Sequence, residues 1–148
     1  MRFDFFSIFE PTFYIFNVFH MTNFGFESLE IYQLANEIGK SIWDICSTWN
    51  RFDKETLGKQ IVRSADSVSL NICEGYGRFF YNDKKLFFYY SRGSLYETFE
   101  ALNKAKERNL ISDQEHKNIS IKITRLAVKL NNYIKTIKPP IEGDKMNF

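Results

Sequence analysis

The chain has 148 residues, of which 44% are hydrophobic and 26% charged. That is enough for one domain with its own core and too apolar for a disordered segment. The net charge of +2 conceals an asymmetry. Residues 1–50 hold six acids and two bases, whereas residues 51–138 hold ten acids and seventeen bases. A basic surface of that extent attracts acidic partners, RNA or DNA among them; the ordinary reading is a solvated surface.

Residues 1–25 read as a leader. Nine of the sixteen phenylalanines precede residue 27. Asp4 and Glu10 interrupt the apolar run, Pro11 breaks it, and no small-residue cleavage site follows. The run is too short to span a bilayer, so no membrane association by a spanning helix is expected. Two readings stand side by side. Either the natural start is Met21, or the segment docks on a partner or a membrane surface.

The next hundred residues lack proline; Pro139 and Pro140 close the stretch. This favours long helices over a β-sandwich. The first helix is predicted over about Glu27 to Trp49, with Leu29, Tyr32, Ala35 or Asn36, Ile38 or Gly39, Ile42, Trp43, Ile45 and Cys46 on its apolar face. Asp53 is the expected N-cap of the second, which runs from about Lys54 to Glu74. There Leu57, Ile61, Ala65, Val68 and Ile72 form one stripe. The third is predicted from caps at Asn82 and Asp83 to about Arg108. Phe88, Leu95, Phe99 and Leu102 make its main stripe, and Tyr89, Gly93 and Tyr96 an adjoining one. Phe87 and Tyr90 widen that surface. Core or subunit contact is the expected use of these aromatics, with nucleobase stacking as the rival. The fourth opens on a capping box, Ser112 to Glu115. Ile119, Ile123, Leu126, Leu130, Tyr133 and Ile137 then form a heptad seam. Ile121 and Val128 lie nearly opposite that seam, which hints at a subunit contact. Short connections make neighbours antiparallel. The expected fold is an all-α, up-down antiparallel four-helix bundle over residues 26–138, with a tail at 139–148.

Glu74-Gly75-Tyr76-Gly77-Arg78 looks like a phosphate loop at first sight. A phosphate loop needs strand, glycines, then helix; here a helix comes first. The stretch reads as a helix–helix corner with Gly75 in the left-handed conformation. Asn71, Glu74, Gly75, Gly77, Gly93, Ser94 and Glu97 are expected to form a structural polar corner between the second and third helices. Glu74 and Glu97 could in principle do acid–base or metal work, but a charge-paired cluster fixing helix register is preferred. Two cysteines, Cys46 and Cys73, and two scattered histidines, His20 and His116, make neither a disulfide framework nor a zinc site. No catalytic triad, metal spacing or cofactor motif is present, so an enzyme is not expected. The thiols suit a reducing, cytoplasmic setting. The candidate phosphate contacts are Arg63, Arg78, Lys84, Lys85, Arg92, Lys122, Arg125 and Lys129.

Two stretches, LGKQIVRSADSVSLNICEGYGR and FFYYSRGSLYET, resemble the four-helix-bundle family named for proteins encoded in 23S rRNA intervening sequences. The matching positions are Leu57, Gln60, Arg63, Ala65, Ser67, Asn71, Ile72, Glu74, Gly75, Gly77 and Arg78, then Gly93, Ser94 and Glu97. Ser64 departs from the arginine common in relatives. The resemblance implies a homopentameric ring of up-down bundles. It also implies kinship with the accessory variability determinant of diversity-generating retroelements, a basic pentamer that engages a reverse transcriptase and RNA. Most members have no established activity. The resulting expectation is a non-enzymatic oligomer that binds RNA, DNA or a nucleoprotein through basic residues. A protein-docking scaffold is the alternative.

Overall fold

The computed structural model describes residues 25–139. The predicted leader up to residue 24 and the tail from residue 140 lie outside the described residues. A short 3-10 turn, Phe26–Ser28, leads into α1 (Glu30–Ser47). A helical lead-in at Arg51–Asp53 continues through a π turn at Lys54–Gly58 into α2 (Lys59–Gly77). Then come α3 (Tyr81–Glu107) and α4 (Asp113–Thr136). Around the bundle, α1 packs against α2 and α4, and α3 packs against the same two helices. Neighbours are antiparallel. Val68 and Ser64 on α2 meet Ser91 and Thr98 on α3, and Glu30 and Ser41 on α1 meet Arg125 and Lys122 on α4. The structure is the up-down four-helix bundle that the periodicity predicts.

The α2 stripe is buried from Leu57 through Ile61, Ala65 and Val68 to Ile72. Each of its leucine, isoleucine and valine side chains contributes about 1.5–3 kcal/mol when fully withdrawn from water. Facing residues complete one core: Ile31, Leu34, Ile38 and Ile42 from α1, Phe88, Leu95 and Leu102 from α3, and Ile123, Leu126, Leu130 and Ile134 from α4. Two hydroxyls are satisfied inside it. Ser91 donates to the Val68 carbonyl at 2.8 Å, and Thr98 donates to Ser64 Oγ at 3.1 Å. These bonds tie α2 to α3 inside the core. Ser64, a departure from the arginine common in relatives, is therefore an interior residue.

Several expectations are corrected. Trp43 and Phe99 are exposed, as are Tyr89 and Tyr96, because the bundle buries only one arc of α1 and of α3. Ile31, Leu34 and Ile134 carry burial in positions the seam reading passed over. Asn50, not Asp53, caps the second helical stretch: its side chain accepts the Asp53 backbone N–H at 3.0 Å. Asn82 and Asp83 cap nothing, since α3 begins at Tyr81 from an extended Phe80. The capping box at Ser112 and Glu115 is present with both reciprocal bonds.

Gly75 is not left-handed. It lies inside α2, buried, and the helix runs on to Gly77 before Arg78 turns extended. A Cβ on Gly75 would sit 3.0 Å from the Phe88 ring and 3.1 Å from Phe87 Cβ. The glycine serves close helix approach, not chain reversal.

Candidate nucleic-acid and assembly surfaces

Most of the predicted phosphate contacts already have partners. Glu30 on α1 holds Arg125 at 2.7 Å and Lys129 at 2.7 Å, both on α4. Those two bonds, Lys129 first, hold the Glu30 carboxyl below its ordinary range. Lys122 donates to Ser41 Oγ at 3.2 Å, also across the α1–α4 contact. The acidic first helix and the basic fourth are thus neighbours, and part of the charge asymmetry is answered inside the molecule.

On α3, Arg92 lies over the Tyr89 ring at 4.9 Å and donates to Asn131 at 3.1 Å. Lys85 donates to the Tyr81 hydroxyl at 3.2 Å, which raises its pKa. Arg78 is ion-paired to Glu74 one turn back and covers the Phe87 ring at 4.6 Å. Arg63 and Lys84 have no side-chain hydrogen bond or ion pair among the described residues. Glu30, Ser41 and Asn131 escaped the sequence reading. Their partners lie as far as 95 residues away, and no local pattern signals such a pairing.

The predicted polar corner divides in two. Asn71, Glu74, Gly75 and Gly77 stand at the α2 end, where Asn71 donates to the Ser67 carbonyl at 2.8 Å. Ser94 and Glu97 instead share a shallow polar groove with Thr56, Lys59, Gln60 and Arg63. Antiparallel register explains the split: Thr98 sits opposite Ser64, about three helical turns from Gly75. Gly93 is exposed on α3 with open space about it. Glu74 and Glu97 do not meet. Among the described residues no cluster of three His, Cys, Asp or Glu side chains could hold a metal ion. Burial pushes the Cys46 thiol up to about 11.

Two apolar grooves run along the outside. One, about 740 Å³, lies between α1 and α2 and is lined by Trp43, Val62 and Leu70. The other, about 960 Å³, lies between α3 and α4, where Phe99, Ile121 and Val128 line it together with Lys117, Arg125 and Lys129. Ile121 and Val128 are each 58% exposed. No helix among the described residues is long and apolar enough to cross a membrane.

Comparison with known proteins locates this bundle. The model of the family described as 23S rRNA-intervening sequence protein matches residues 27–132. A solved chain from Bacteroides thetaiotaomicron, described as a protein with unknown function from the S23 ribosomal protein family, has the same fold. The TM-score is 0.64 at 21% identity, covering 72% of this chain and 99% of that one. A search of curated proteins returned no match. The matched span begins before α1 and stops one turn short of the end of α4, so it covers nearly all of the bundle, and the chain belongs to the 23S rRNA-intervening sequence protein family.

Proposed function

We propose that this protein is a non-enzymatic homo-oligomer whose basic α4 surface engages RNA or a nucleoprotein partner. A pentamer is the assembly that the family resemblance implies. The observation that carries the reading is the charge of α4. From Lys117 to Lys135 it has five cations and no acid, spread along about 27 Å of helix, and Lys138 follows just past its end. Lys117, Lys135 and Lys138 have no partner among the described residues. Phosphates engage such stripes without sequence preference, releasing counterions as they do. Arg125 and Lys129 are held by the Glu30 carboxylate and stay outside the contact while it is ionised.

A second reading has its own support. The intramolecular engagement of Lys122, Arg125 and Lys129 suits a protein-docking scaffold in which these cations are structural. RNA binding followed across salt separates the two. The nucleic-acid reading expects log affinity to fall by about 0.7 per phosphate contact for each log unit of salt. Binding that is absent at low salt leaves the scaffold.

A further inference from the structure

Trp43 and Leu70 line the α1/α2 groove and are 62% and 67% exposed. Lys54, Lys59 and Arg63 line it too, against a single acid, Asp66. None of these four charged side chains has a hydrogen bond or ion pair among the described residues. The groove is therefore apolar and net positive, and exposed apolar surface of this kind marks a contact.

The same chain carries a segment of matching chemistry. Residues 1–24 hold eight phenylalanines. From Phe3 to His20 there are two acids, Asp4 and Glu10, and no lysine or arginine. The acids bracket Phe5, Phe6, Ile8 and Phe9. The described chain also begins on the side of the groove. The Phe26 ring packs 4.9 Å from that of Tyr32 on α1 and 6.3 Å from that of Tyr76 on α2, centroid to centroid. Trp43 follows Tyr32 by eleven residues, three turns along the same face of α1 and about 16 Å away. The sixteen residues from Glu10 to Phe26 cover that distance even at the rise of a helix, about 1.5 Å per residue.

We propose that residues 3–10 dock in the α1/α2 groove of their own chain. Their phenylalanines cover Trp43 and Leu70, and their two carboxylates answer Lys54, Lys59 and Arg63. The groove is then filled without a second copy or a nucleic acid.

Acrylamide quenching of tryptophan fluorescence tests this, because Trp49 is buried and Trp43 exposed. The chain of 148 residues should be quenched less, with bluer emission, than a chain begun at Met21. Trp43→Phe should abolish the difference. Asp4→Lys with Glu10→Lys should raise quenching to the level of the shorter chain. Adding Lys59→Glu with Arg63→Glu should restore the shielding. Trp43, Lys59 and Arg63 are exposed, so helical circular dichroism should hold throughout. Equal quenching of the long and short chains overturns the proposal and leaves the segment to a partner or a membrane surface. A difference that persists in Trp43→Phe overturns the choice of groove. A native protein whose intact mass begins at Met21 overturns the proposal as well.

Discussion

The Glu30 carboxylate on α1 and the Arg125 guanidinium on α4 lie 2.7 Å apart, and Lys129 shares the same carboxylate. This contact governs how much positive charge the fourth helix can offer to a partner. Glu30→Gln should free both cations. If α4 binds RNA, the slope of log affinity against log salt should steepen by about 1.5, the share of two further phosphates. Filter binding across salt measures it. An unchanged slope would place Arg125 and Lys129 outside the contact.

Acid should do the same as the substitution. Because Glu30 has a depressed pKa in the folded protein, its tie between α1 and α4 is in place above the ordinary glutamate value, about 4.3. The tie is lost as pH falls through the lower folded value. At neutral pH Glu30→Gln should lower the melting temperature slightly, and below that range the two proteins should converge. Melting curves across pH would show it.

Gly75 and Gly77 stand two residues apart in one helix, and alanine should act in opposite senses. At Gly75 the added Cβ meets Phe88 and Phe87, and overpacking of this kind costs about 1–3 kcal/mol. At Gly77 nothing lies within 4 Å, so alanine should stabilise by about 0.5–1 kcal/mol through helix propensity and reduced unfolded-state entropy. Urea denaturation of both variants decides it, and equal effects would contradict the close approach of α2 and α3.

Phe88 and Phe99 occupy the same helix at different depths. Phe88 is fully buried while Phe99 is exposed. Phe88→Ala should cost about 3–5 kcal/mol. Phe99→Ala should lie within about 0.5 kcal/mol of the native monomer and show its effect in assembly instead. Denaturation and sedimentation of the same samples separate the two roles.

Cys46 should resist modification. Its thiol is raised to about 11 by burial, so at pH 8 little thiolate exists. With the part-exposed Cys73 replaced by serine, labelling by a thiol reagent should be far slower in the native protein than in urea, and rapid labelling would show that the α1/α2 groove opens.

The fold was legible because hydrophobic periodicity is a local property. The stripe from Leu57 to Ile72 and the seam from Ile119 to Leu130 are spaced so that only a helix puts them on one face, and both are buried. The capping box at Ser112 was equally local, since donor and acceptor stand three residues apart. The family pattern also lies within contiguous stretches, which is why the resemblance and the match over residues 27–132 agree.

What periodicity could not assign was the use of each remaining face. Phe88 and Phe99 sit in one helical stripe, yet only the packing of α3 against α2 and α4 decides which is core. Gly75 looks like a helix end until Phe88 comes against it from another helix. Glu97 looks like a partner for Glu74 until antiparallel register carries it towards Arg63. The basic residues of α4 look free until α1 brings Glu30 beside them. Amino-acid order by itself determined the helices and their apolar faces, because those follow from spacing along one chain. Only the tertiary structure decided which charges are neutralised and which apolar faces stay exposed, because both depend on residues distant in sequence arriving within a few ångströms of each other.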